Sequence, residues 1–76
     1  MKKKYIVLNE TSCILFSPDI PHDTFKNIGN ITSAGFCKIR ENGNVYVYGN
    51  SQSLGIQTNP WEDRILIEML LRKEYI

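Results

Sequence analysis

Histidine occurs once in this chain of 76 residues, and cysteine only twice. A lone histidine does not make a metal centre, which needs further ligands at proper spacing, and none accompany His22. Catalysis by His22 would need a nucleophile or a second acid held against it, and a small hydrolase would use Asp23 or Asp63 in that place. Cys13 and Cys37 both lie in apolar runs, where a thiol behaves as a small hydrophobe. A bridge between them would require neighbouring strands. No secretory signal is present, because Lys2, Lys3 and Lys4 are followed by only four apolar residues before Asn9. Reduced cysteines in a cytoplasmic protein are therefore expected. No apolar run reaches the length of a membrane span. Charge of one sign is lacking too: the formal net charge is +1. A general nucleic-acid binder would carry a basic stripe. The only basic cluster, Lys2–Lys4, reads as a solvated terminus. Repeats and low-complexity linkers are absent, and the length allows one domain, residues 1–76.

What is present is strand-like. Tyr5–Leu8 and Cys13–Phe16 are short continuous apolar runs, as expected of strands buried on both faces. The turn residues Asn9–Ser12 between them predict an antiparallel hairpin. Asp19–Gly29 follows, with Pro21 suited to the first turn of a short helix of about two turns. Phe25 and Ile28 would face inward there, and Gly29 would end it. His22 reads as a surface or capping residue.

The stretch Ile31–Ile56 organises the rest. Strand-type residues flank Asn42-Gly43. A two-residue turn would pair Ile39 with Tyr46. A three-residue loop, Glu41-Asn42-Gly43 with Gly43 left-handed, would pair Arg40 with Asn44, Ile39 with Val45 and Cys37 with Val47. A slip of one residue exchanges the two faces, so hydrophobic consistency favours the three-residue loop. Phe36, Lys38, Arg40, Tyr46 and Tyr48 then share the other face. Three aromatics and two cations together can stack a base and hold a phosphate. A covering helix or second subunit would explain the same aromatics. The loop Gly49–Gln57 offers Asn50, Ser51, Ser53 and free backbone N–H groups, which can cradle an anion. It lacks P-loop spacing. It could equally be a connection that delivers Leu54 and Ile56 to the core.

The C-terminal helix is the clearest element. Asn59 is an N-cap residue, Pro60 fits the first helical position and Glu62 stands where a capping-box acid belongs. The helix is expected to run from Pro60 to about Tyr75. Glu62 and Asp63 in its first turn, with Arg72 and Lys73 in its last, suit the helix dipole. Ile65, Leu66, Met69 and Leu70 form a stripe assigned to the sheet. Ile67, Leu71 and Tyr75 form a second stripe, assigned to another subunit because a small monomer would otherwise leave it in water. The expected fold is α+β: a small antiparallel sheet of about four strands, a short helix after strand two, and a C-terminal helix packed on the sheet.

Ser33-Ala34-Gly35-Phe36, then G-x-S-x-S-L-G over Gly49–Gly55, then P-x-E-D over Pro60–Asp63 resembles a pattern found in small proteins of phages and mobile elements. The resemblance covers roughly the second half of the chain. Some small oligomeric phage proteins are of the viral sponge type, like the Thoeris and CBASS anti-defence families. Those bind a host nucleotide immune signal between subunits and do no chemistry. The resemblance implies a non-enzymatic immune evasion protein, a homo-oligomer without cofactor or metal, that sequesters a cyclic nucleotide or ADP-ribose derivative. Stacking would come from Phe36, Tyr48 or Trp61, and hydrogen bonds from Ser33, Asn50, Ser51 and Ser53. Phosphate contacts would come from Lys38, Arg40 or Arg64, while Asp63 would read a ribose hydroxyl or base edge. A phosphate pocket would call for a basic residue where the loop carries Asn50, so the class of function transfers and a ligand does not. The alternative is an inhibitor that binds a host protein through its aromatic hairpin face.

Overall fold

The computed structural model describes residues 1–74. A four-stranded antiparallel sheet has β1 (Lys2–Leu8), β2 (Ser12–Phe16), β3 (Ile31–Ile39) and β4 (Val45–Tyr48) in the order β2-β1-β3-β4. A two-stranded ribbon follows, β5 (Asn50–Ser51) and β6 (Ile56–Gln57), and then the helix α1 (Pro60–Glu74). The expected α+β architecture is present, with α1 on the sheet.

Alternation along β1 explains why its sequence is a continuous apolar run. Tyr5 and Val7 face α1 and meet Cys37, Val45 and Ile67. Ile6 faces the other way and meets Phe16 and Ala34, under Phe25, Leu54 and Ile56. β1 is an inner strand, so both of its faces need apolar side chains. Its pairing with β3 reaches back through the lysine run, with Lys2 opposite Lys38 and Lys4 opposite Phe36. Ile39 and Met1 exchange two backbone hydrogen bonds of 2.7 Å. Lys2–Lys4 is thus paired strand, not the solvated terminus expected. A strand's backbone pairs whatever its side chains, and a charge run conceals that.

The hairpin register is the three-residue one. Ile39 lies opposite Val45 and Cys37 opposite Val47, while Arg40 N donates to Asn44 O at 2.9 Å. Gly43 has φ 88°, the left-handed conformation that lets the loop close without a side-chain clash. The β1–β2 connection is a tight turn with Asn9 (φ 52°) and Glu10 (φ 64°) at its centre, closed by Thr11 N to Leu8 O.

Three expectations are corrected. The segment after β2 forms only a 3₁₀ turn, His22–Phe25, bonded i to i+3. The seven residues between Pro21 and Gly29 cannot repay helix nucleation. Phe25 packs inward, but Ile28 is exposed. His22 is not at the surface: it is 4% exposed, wedged edge-on between Phe16 and Phe36. The stripes of α1 divide differently: Leu66 meets the sheet as expected, but Ile67 and Leu71 join it in place of Ile65 and Met69. Ile67 is fully buried against the sheet with Leu66 and Leu71 beside it, whereas Ile65 and Met69 are exposed. Tyr75 lies outside the described residues.

The helix start also differs in detail. Asn59 N donates to Asp63 Oδ2 at 2.9 Å, and Glu62 instead accepts from the Asn59 side-chain amide at 2.7 Å. Asp63, one residue later, takes the capping role because it is simultaneously bonded to the sheet. Cys13 and Cys37 are free, with β1 between their strands. No helix among the described residues is long and apolar enough to cross a membrane.

Candidate functional site

Eight of the eleven residues singled out in the sequence fall into three places, and Lys38, Arg40 and Ser51 lie apart from them. Phe36, Tyr48, Asn50 and Ser53 line one hollow of about 520 Å³, together with Lys4, His22 and Gly49. Phe36 and Tyr48 are cross-strand partners on β3 and β4, and their rings stack at 5.8 Å with 19° between planes. His22 meets the Phe36 ring edge-on at 5.5 Å. Lys2 Nζ and Lys4 Nζ lie 5.6 Å and 5.8 Å from the Phe36 centroid. The cations at the stacked rings are therefore these two, on the same face of β1 at a spacing of two. Period-two reading of Lys2, Lys4, Ile6 and Leu8 was the signal for them. Lys38 is exposed, and Arg40 reaches Tyr46 instead, 5.4 Å from its ring.

Gly49 makes the hollow's rim. It has φ 76°, and a Cβ there would stand 3.0 Å from Phe36 Cδ1. The chain can turn away from β4 and still graze the aromatic ring only with glycine at this place. Ser51 points inward and is buried, accepting Leu54 N at 3.3 Å, so it holds the ribbon's turn together. Leu54 and Ile56 enter the core, as expected of a connection that delivers them there, while Asn50 and Ser53 line the hollow.

Ser33 and Asp63 belong to a second place, a buried polar network on the α1 side of the sheet. Tyr5 donates to Asp63 Oδ2 at 2.6 Å and Ser33 to Oδ1 at 2.8 Å. Thr58 is also bonded to the Tyr5 hydroxyl. Burial, and then the hydrogen bond to Asp63, raise the Tyr5 phenol far above its ordinary pKa, so it stays a donor. Both Asp63 oxygens are occupied. Trp61 and Arg64 form the third place, with Arg64 Cζ 4.8 Å from the Trp61 ring on the exposed side of α1.

The titrating groups carry chemical consequences. His22 is shifted below its ordinary pKa, chiefly by burial, and its Nε2 is 2.8 Å from Gly35 O. It lies on the 3₁₀ side of the sheet and Asp63 on the α1 side, so the two do not meet. Burial pushes the Cys13 thiol up to about 12 and Cys37 to about 11, the reverse of what activates a thiol nucleophile. Among the described residues no three His, Cys, Asp or Glu side chains are grouped to hold a metal ion. A larger hollow, about 810 Å³ between the hairpin turn and the end of α1, includes Arg40, Glu68 and Arg72 but no aromatic ring.

No protein-family model matches the chain, and no curated protein or solved structure matches it.

Proposed function

We propose that this chain binds a nucleotide-type small molecule and sequesters it without chemical change, as an immune evasion protein of the phage type. The carrying observation is the stacked Phe36–Tyr48 pair at the mouth of a hollow of about 520 Å³. That volume falls within the usual range of small-ligand sites, about 300–1,000 Å³. One ring face offers base stacking, Lys2 and Lys4 offer phosphate charge, and Asn50 and Ser53 offer hydrogen bonds. The proposal includes a homo-oligomer, because Trp61, Ile65 and Met69 form an exposed apolar stripe at a spacing of four along α1.

Thermal-shift measurement against cyclic di- and trinucleotides and ADP-ribose derivatives tests it. Ligand at about 100 times its Kd adds about 2.7 kcal/mol to the folded state. In a domain of this size each kcal/mol moves Tm by about 4–8 °C. One ligand class should give that rise, Phe36→Ala should remove it, and the ligand should be recovered intact after denaturation. A flat screen sinks the reading. A second reading, a protein-binding inhibitor, is favoured by Tyr46 and Trp61, which are 60% and 68% exposed.

A further inference from the structure

β4 is an edge of the sheet, with no strand beyond it among the described residues. Its ladder phase follows from the turn. Arg40 N bonds Asn44 O, and Lys38 lies opposite Tyr46 and Phe36 opposite Tyr48. In an antiparallel pair the bonded positions alternate, so Asn44, Tyr46 and Tyr48 turn their backbone groups toward β3. The N–H and C=O groups of Val45 and Val47 therefore point outward. They open into a groove of about 370 Å³ walled by Tyr46, Trp61 and Arg64.

Basic side chains flank this edge. Arg40 stacks on Tyr46, Lys38 is the neighbour of Tyr46 on β3, and Arg64 stacks on Trp61. No acidic residue lines the groove. Arg64 forms an ion pair with Glu68 at 3.7 Å within α1, so the unpaired cations at this edge are Arg40 and Lys38 among the described residues. Basic side chains beside an open edge discourage pairing with another copy. A second copy added through β4 would set Tyr46 against its counterpart and oppose the two stacked Arg40 side chains. The same charges attract an acidic strand. We infer that the β4 edge is a docking site for an extended acidic segment of another protein, which adds to the sheet as a fifth strand through Val45 and Val47. Its backbone would complete the ladder, its apolar side chains on the α1 face would pack on Trp61, and its carboxylates on the opposite face would meet Arg40 and Lys38 beside Tyr46. This inference uses none of the residues that line the Phe36–Tyr48 hollow, and it shares only Trp61 with the stripe of the proposed oligomer.

The probe is a capped peptide of about seven residues alternating Glu with Val, long enough for an ordinary strand. Amide hydrogen exchange of the intact chain should slow at Val45 and Val47 when the peptide is added and stay unchanged at Tyr46 and Tyr48. Fluorescence of Trp61, the sole tryptophan, should saturate along the same titration. A peptide with Lys in place of Glu should bind at least about tenfold more weakly, and Lys38→Glu combined with Arg40→Glu should reverse that preference. An acidic peptide N-methylated along its pairing edge should not bind, because it keeps the charges and loses the ladder donors. Unchanged exchange at Val45 and Val47 with saturating peptide overturns the inference. So does equal binding of the N-methylated peptide. Protection of the same two amides that grows with protein concentration in the absence of peptide overturns it in favour of a second copy.

Discussion

Glu10 holds a backbone conformation that costs a residue with a side chain about 1–2 kcal/mol. It is kept there by Glu10 N donating to Thr32 Oγ1 at 3.0 Å and Asn9 N donating to Asn30 O at 2.9 Å. Glu10→Gly creates the Asn-Gly pair this turn prefers and should raise stability by about 0.5–1 kcal/mol, read from urea denaturation. Gly35 is the opposite case. Its φ is unexceptional, but a Cβ would stand 3.0 Å from Tyr48 O and 3.1 Å from Thr58 Cβ. Gly35→Ala should cost about 1–3 kcal/mol, because backbone on one side cannot yield as a side chain would. Asp63→Ala should cost about 3 kcal/mol or more, since it strands the Tyr5 and Ser33 hydroxyls and uncaps α1. In the sequence Asp63 read as a first-turn helix acid and a candidate ligand contact. Its bonds to residues 30 and 58 positions away exist only after folding.

At the scale of elements, the 3₁₀ turn carries a pH dependence. Its His22 is neutral when folded, with a pKa below the ordinary 6.5. Above about pH 6.5 neither folded nor unfolded chain binds the proton, and stability is flat in this group. Below that, the unfolded chain takes up a proton that the buried ring refuses, so stability falls as pH drops toward the folded pKa. Denaturation midpoints should decline as pH falls below about 6.5, and His22→Phe should flatten that slope. The hairpin register was legible because both faces of β3 and β4 carry side chains of different character. The stripes of α1 were not. Apolar residues ring the helix too evenly for periodicity to choose a face, and the buried side was decided by Asp63, tethered to Tyr5 and Ser33. That tether turns Ile67 and Leu71 inward and leaves Trp61, Ile65 and Met69, 68%, 42% and 51% exposed, on the outer face.

For the whole molecule, the proposed oligomer depends on that exposed stripe. Ile65→Glu combined with Met69→Glu should reduce the mass seen by light scattering to that of a monomer while leaving the helical circular dichroism intact. An unchanged mass would place the interface elsewhere or remove the oligomer. Cys13 and Cys37, with pKa values near 12 and 11, should not react with a thiol reagent at neutral pH in the folded chain and should both react on unfolding.

By itself the sequence determined the local elements: two hairpins, the left-handed Gly43, and a helix beginning at Pro60. Each depends on residues within a few positions of one another, where turn chemistry and alternation act directly. Only the tertiary structure decided that β1 and β3 would be neighbours, which places Lys2 and Lys4 on the Phe36 ring. It also decided that His22 would be buried and that Ser33 and Asp63 would become a structural network apart from the aromatic hollow. Strand order and helix rotation are settled by contacts between distant residues, and no local pattern encodes them.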